Sequence, residues 1–246
     1  MTTIKNALLH YPHQGGGNSL FNESEVRKTF STFVELGGFT EVRVLEAIQN
    51  GQNKNYKKTY AGFFDNADAL VFELSKFSFF MGAYFIFNKL NVGLLSRSYN
   101  HFKAGESGTG DKDIERRIWL LIDIDPVRPS RTSASDEKKL AAKNVANAVC
   151  NYLTSIGWAD PICADSGNGF HLLYPIDLPT EDGGLVKSCL EALASQFDTA
   201  EVKIDIAVNN AARIMRLYGT RACKGDEVEH LNTYHRISKI VAGGAE

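Results

Sequence analysis

Residues 118–125 read Ile118-Trp119-Leu120-Leu121-Ile122-Asp123-Ile124-Asp125, with Pro126 directly after. A short apolar run rich in β-branched and aromatic side chains and closed by a proline predicts a buried strand. Successive strand residues alternate faces, so Asp123 and Asp125 project to the same side. At roughly 5–6 Å and an effective dielectric of about 20, two such carboxylates repel by about 3 kcal/mol. A strand that seats this pair normally also binds something cationic, and a hard divalent ion with oxygen ligands is the natural candidate. The alternative is a pair of solvated aspartates at a strand end, beginning a turn at Pro126.

Outward from this strand the second half of the chain is orderly. A helix is predicted from Ser135 to Ile156, capped by Ser135, with Asp136 and Glu137 in its first turn and Gly157 as its stop. Strands follow near 162–164 and 170–176. A second helix over 184–197 places Leu185, Cys189, Leu193 and Phe197 close to one face. Further strands are predicted at 202–207, 212–218 and 235–241. The order βαββαββ implies an α+β fold, an RRM-like core whose mixed or antiparallel sheet carries helices on one face.

The first half reads as mixed α/β. A helix over 24–35, capped by Ser24 and ended by Gly37-Gly38, puts Val26, Phe30, Phe33 and Val34 on one face. Strands are expected at 41–47 and 84–87. Two glycine-rich stretches punctuate the chain, 12–19 with Gly15, Gly16 and Gly17, and 103–113. They divide it into an N-terminal α/β accessory lobe, 1–102, and a catalytic lobe, 103–246, packed as one domain.

The chain has 246 residues, 43% of them apolar and 23% charged, which excludes a disordered chain, a collagen-like repeat and a membrane channel. Its 27 Lys and Arg against 29 Asp and Glu exclude binding of nucleic acid by bulk charge, but not a local basic groove. From Asn209 to Lys224 there are Arg213, Arg216, Arg221 and Lys224 and no acid. Cys150, Cys163, Cys189 and Cys223 form no C-x-x-C pair, so reduced thiols and no zinc are expected. Met1–His10 shows no signal segment, and the most apolar stretch, Phe77–Phe87, is too short to span a bilayer. A cytoplasmic protein without a membrane partner is expected.

A second motif is Ser166-Gly167-Asn168-Gly169-Phe170-His171. Its glycines let backbone amides approach an anion, with Ser166 and His171 as side-chain donors, and its length fits a loop holding a triphosphate at a sheet edge. It also reads as a glycine-rich hairpin with an incidental histidine. The third motif is Lys203-Ile204-Asp205-Ile206, where an acid inside an apolar strand needs a partner or a metal. Arg213 and Arg216 are three apart, so on a strand they face opposite sides and at most one reaches the site. Arg216, nearer the strand end and Gly219, is favoured for phosphate contact; an ion pair elsewhere is the other reading of Arg213. Arg116 and Arg117 read as a solvated face. So do Arg128 and Arg131, although both follow the aspartates closely enough to meet nucleic-acid phosphate. Three carboxylates, a Ser/His glycine loop and adjacent basic residues suit two-metal phosphoryl or nucleotidyl transfer.

Together the three motifs resemble those of the archaeo-eukaryotic primase superfamily, in particular the primase-polymerase branch of plasmids, phages and other mobile elements. Asp-Pro-Val-Arg-Pro after the first motif, Ala-Arg-Ile-Met-Arg-Leu-Tyr-Gly-Thr after the third, and Lys224-Gly225 beyond it are similar too. The likeness covers about residues 94–240, and the first 90 residues carry no diagnostic motif. It implies that Asp123, Asp125 and Asp205 ligate two magnesium or manganese ions. It implies that Ser166 and His171, in a loop with Asn168 and Gly169, hold the nucleotide triphosphate, with Arg216 as the phosphate-binding arginine and Lys224 assisting. Arg213, Arg221, Arg128 and Arg131 are candidate phosphate or template contacts. The implied activity is primer synthesis and extension on single-stranded DNA from NTPs or dNTPs. No G-x-x-x-x-G-K-[ST] occurs, so a helicase would act in trans or from a longer chain. A non-catalytic single-strand-binding replication initiator and a metal-dependent nuclease are the rival readings. Buried, mutually repelling carboxylates speak against the first, and the Ser/His triphosphate loop against the second.

Overall fold

The computed structural model of the protein describes residues 19–53 and 55–242; the expected glycine break at Gly15–Gly17 lies outside them. Helix α1 (Glu23–Phe33) begins where the Asn22 side chain accepts a hydrogen bond from the Glu25 amide. Asn22, not Ser24, is therefore the cap; either side chain can satisfy an orphan amide, and the helix starts at the earlier one. Strand β1 (Thr40–Gln49) pairs antiparallel with β2 (Lys58–Phe64), which leads into α2 (Ala67–Leu74). The apolar stretch Phe77–Phe87 breaks into β3 (Phe77–Phe79) and β4 (Gly82–Ile86), both paired with β1. Strand β5 (Lys89–Leu90) leaves toward a second sheet, and β6 (Lys103–Ala104) adds to the edge of β2. On β1, Val42 and Val44 are buried in a core with Val26, Phe33 and Leu70. Their alternates Arg43 and Leu45 therefore occupy the opposite face.

The second sheet grows from β7 (Ile114–Pro126), longer at both ends than the sequence suggested. Helix α3 (Asp136–Ser155) is capped by Ser135 as expected, and Gly157 follows it at φ +95°. Strands β8 (Ile162–Asp165) and β9 (Phe170–Leu178) form a hairpin. Helix α4 (Leu185–Phe197) buries Val186, Leu190 and Leu193, whereas Leu185 is 55% exposed and Cys189 half-buried. The buried face is thus turned one position from the expected one. Strand β10 (Val202–Ile204) pairs with β7 and stops before Asp205.

The strand expected at 212–218 is shorter and lies elsewhere: β11 (Ile214–Arg216) pairs with β4 in the first sheet. Strands β12 (Arg221–Ala222) and β13 (Arg236–Ile237) form a small ribbon, and β14 (Lys239–Ala242) edges β8. The first sheet runs β11-β4-β1-β2-β6 and the second β10-β7-β9-β8-β14, with every pairing between these strands antiparallel. Residues before 105 and after 213 therefore build one sheet together.

Arg117 is not part of a solvated face. It is 8% exposed and donates to the carbonyls of Thr180 (2.9 Å) and Asn209 (2.8 Å). Arg116 keeps the surface role, paired with exposed Asp177. Among the described residues no helix is long and apolar enough to cross a membrane.

Candidate active site

Alternation along β7 places Leu120, Ile122 and Ile124 in the core with residues of α3 and α4, and it brings Leu121, Asp123 and Asp125 into a cleft of about 350 Å³. Register then brings the site together laterally. Asp123 is the cross-strand partner of His171 on β9, and on its other side the Asp205 amide donates to the Asp123 carbonyl at 2.8 Å. The His171 ring is held from behind, its Nδ1 2.7 Å from the Tyr218 hydroxyl, with Nε2 3.4 Å from Asp123 Oδ1. That second distance is too long for a good hydrogen bond, and Asp123 Oδ1 is buried without a partner.

The two carboxylates differ electrostatically. Burial pushes the Asp123 carboxyl up, but His171, Lys224 and Arg213 outweigh it and hold the group below its ordinary value. Burial and then the Asp123 charge raise Asp125, against the pull of Arg128 and Lys224. Arg128, expected to be solvated, packs its guanidinium beside Asp125 Oδ2 at 3.3 Å and donates to the carbonyls of Pro126 and Thr132, both at 3.1 Å.

The glycine loop closes on itself: the Ser166 amide donates to the Gly169 carbonyl (3.1 Å), and the Gly169 amide to Ser166 Oγ (3.0 Å). A Cβ on Gly169 would overlap the Ile124 carbonyl and the Asp125 carboxylate, so only glycine lets the loop lie against the aspartate strand. Asn168 accepts from the Ala134 amide at 2.8 Å, tying the loop to the approach of α3, and Lys139 on α3 pairs with buried Asp165 at 2.6 Å. Ser166, Asn168 and His171 all line the cleft.

Asp205 and Arg213 correct the sequence reading. Asp205 lies just past β10, not inside a strand. It caps a short 3-10 turn, accepts from the Ala207 amide at 2.9 Å, and meets Arg213 Nη2 at 3.3 Å. Arg213 immediately precedes β11, so strand alternation does not govern it, and both Arg213 and Arg216 line the cleft. Arg216 is 4% exposed. Its guanidinium carbon sits 4.3 Å from the Tyr84 ring centre, Nη2 donates to the Tyr84 hydroxyl at 3.0 Å, and Nη1 is buried without a partner. Gly82 makes room, since a Cβ there would overlap the Arg216 guanidinium. Leu45, Tyr84 and Gly82 were not legible as site residues, because only the β4–β11 pairing shows which face they occupy. Lys224 lines the cleft, whereas Arg128, Arg131 and Arg221 do not. Arg131 pairs with Glu46 at 2.7 Å, and Arg221 donates to the Ser19 carbonyl at 3.1 Å.

Among the described residues no three His, Cys, Asp or Glu side chains converge closely enough to cage an ion, and Asp205 is held by Arg213. The Asp123–Asp125 pair nonetheless fits a hard divalent cation: it offers carboxylate oxygens, and one of them is buried with its hydrogen-bonding capacity unmet.

No protein-family model matches the sequence, and no curated protein matches it. Two solved structures are similar over most of their length. One is the AEP domain of the cyanophage S-2L primase-polymerase, with 15% identity, 90% of each chain covered and a TM-score of 0.43. The other is the polymerase domain of Mycobacterium tuberculosis ligase D in complex with DNA, with 14% identity and a TM-score of 0.46 over 85% of this chain and 84% of that one. A likeness at that level describes outline and says nothing of site chemistry.

Proposed function

We propose that the protein is a template-dependent nucleotidyltransferase that makes primers on single-stranded DNA and extends them. One observation carries this reading: a single cleft holds a buried carboxylate oxygen without a donor, Asp123 Oδ1, and a buried guanidinium nitrogen without an acceptor, Arg216 Nη1. The first, which His171 Nε2 approaches only to 3.4 Å, suits a cation, and the second suits an anion. A divalent metal–nucleoside triphosphate satisfies both at once.

In this reading β7–β10 with α3 and α4 form the RRM-like catalytic core, and the first sheet is the accessory lobe that seats Arg216. Asp123 and Asp125 would hold a magnesium or manganese ion, and Asp205, now paired with Arg213, would be the third carboxylate for a second ion. Those ions supply charge neutralisation at the phosphates and lower the pKa of the attacking hydroxyl. Arg216, Lys224, His171 and the Ser166–Gly169 loop orient the triphosphate, and Tyr218 fixes the His171 ring. The partners are a single-stranded DNA template, NTPs or dNTPs, and a helicase acting in trans or from a longer chain, in the cytoplasm.

A silent DNA-binding module has no use for the half-buried, mutually repelling acid pair, and a nuclease has none for the triphosphate seat. Incubating the protein with end-labelled single-stranded DNA and manganese, with and without nucleotides, separates the three. Nucleotide-dependent longer products support the proposal. Shortened products mean a nuclease, and unchanged, retarded DNA means a binder.

A further inference from the structure

Behind the glycine loop, on the side away from the cleft, lies a buried ion pair to which the proposed function gives no role. Register fixes the side. Ala164 on β8 is the cross-strand partner of His171, whereas Asp165 is the partner of Phe170, so Asp165 and Phe170 share the surface that α3 covers. Lys139 reaches from α3 to Asp165 Oδ2 at 2.6 Å, with its ammonium 5.6 Å from the Phe170 ring centre. Only 12% of the lysine side chain and 3% of the aspartate side chain are exposed.

Both charges stand where local physics disfavours them. Lys139 lies at the start of α3, close to the positive end of the helix dipole. Asp165 sets a carboxylate directly behind a loop whose other side is the anion seat: its Oδ1 accepts from the Gly167 amide at 2.7 Å, while Ser166, Asn168 and His171 line the cleft. Gly167 is at φ +96°, and a Cβ there would overlap the Ala222 side chain, so the loop is pressed between Asp165 and the β12–β13 ribbon. Two desolvated charges are tolerated only through their mutual attraction and the hydrogen bonds around them, so each partner depends on the other.

Removing one charge therefore does more than loosen the loop. Without Lys139, an unpaired carboxylate faces a triphosphate across the loop, and the repulsion grows with the charge of the ligand. Without Asp165, an unpaired ammonium attracts the same ligand. A pair that served only to hold the fold would show no such sign: either loss would slacken the loop and weaken every ligand alike.

Building on the proposed function, we infer that Lys139 and Asp165 are positioning residues for the triphosphate: Asp165 fixes the Gly167 amide and with it the loop, and Lys139 cancels the carboxylate charge that would otherwise repel the nucleotide. Equilibrium titrations of the full chain with fluorescent nucleoside triphosphate and monophosphate, in manganese, test the pair. Lys139→Met should weaken the triphosphate about 3- to 30-fold and the monophosphate less than about threefold. Asp165→Asn keeps an acceptor for the Gly167 amide and should bind the triphosphate at least as tightly as wild type, although its melting temperature falls because a buried ammonium is left unpaired. The neutral double variant, Lys139→Met with Asp165→Asn, should return triphosphate affinity to within about threefold of wild type, and it carries the test if either single variant fails to fold. Equal losses for both ligands, a triphosphate loss in Asp165→Asn, or a double variant no better than Lys139→Met contradicts the inference and leaves the proposed function standing. Wild-type protein that binds no triphosphate overturns the proposed function and the inference together.

Discussion

Arg216 and Tyr84 are direct cross-strand partners on β11 and β4, and the guanidinium carbon lies 4.3 Å from the ring centre. Two segments some 130 residues apart thus make one device, a cation laid on an aromatic face with one nitrogen left for an anion. Cation–π stacking contributes about 0.5–2 kcal/mol, so Tyr84→Leu should raise the nucleotide KM roughly 2- to 30-fold. Tyr84→Phe, which keeps the ring and loses the 3.0 Å hydrogen bond, should have a smaller effect. Equal losses in both variants, seen only in kcat, would separate Tyr84 from nucleotide binding.

The two aspartates are expected to part company in stability. Asp125 is raised above its ordinary value of 3.8, so the folded chain holds its proton more tightly than the unfolded chain does. Its ionisation then removes stability as pH rises from 3.8 through the folded value, and Asp125→Asn should raise the melting temperature of the metal-free protein at neutral pH. Asp123 is lowered, so it contributes stability above its ordinary value that is lost as pH falls through the folded one. Asp123→Asn should lower the melting temperature at neutral pH, and both variants should lose synthesis. Calorimetry in chelator tests the pair; shifts of the same sign would show that the described charge environment is not the one in solution.

This contrast marks where the sequence was readable. Strand alternation sufficed to put Asp123 and Asp125 on one side, and the glycine loop marked His171 as a candidate, but only the β7–β9 register shows that it stands beside Asp123. Asp205 was misjudged because β10 stops at Ile204, one residue short, where a 3-10 turn competes with strand. Arg213 escaped the alternation rule for the same reason, standing just outside β11. Tyr84, Gly82 and Leu45 had no local signal at all. Their role depends on a long-range pairing, and a strand pattern does not say which sheet will claim it.

Gly169→Ala should be worse than an ordinary surface substitution. The added methyl meets the Ile124 carbonyl and the Asp125 carboxylate, and overpacking of this kind costs about 1–3 kcal/mol. The expected outcome is a lower denaturation midpoint together with a loss of synthesis beyond what the fraction unfolded explains. A variant as stable and active as wild type would show that the loop stands clear of the aspartate strand.

His171→Ala and Arg216→Ala should weaken binding of nucleotide more than binding of single-stranded DNA. Charge-assisted contacts contribute roughly 1.5–3 kcal/mol each, or about 10- to 150-fold in affinity. Titrations of each ligand against each variant check this, and lost template binding with intact nucleotide affinity would exchange the two roles.

Initiation should be more salt-sensitive than extension, because an untethered first nucleotide depends on contacts that a primed duplex does not need. Paired unprimed and primed reactions over a salt series, with magnesium or manganese as the only added metal, test this. Products only in the primed series would make this a polymerase that depends on primers made elsewhere.

In the proposed function a metal–triphosphate pair completes the cleft's unmatched carboxylate oxygen and its unmatched guanidinium together. Equilibrium titration of a fluorescent deoxynucleoside triphosphate, in manganese and in chelator, measures it directly. The expected result is binding at least about tenfold tighter with manganese, with that gain absent in Asp123→Asn and affinity reduced in Arg216→Ala under both conditions. Binding that is indifferent to the metal, or a manganese gain that survives Asp123→Asn, would contradict it.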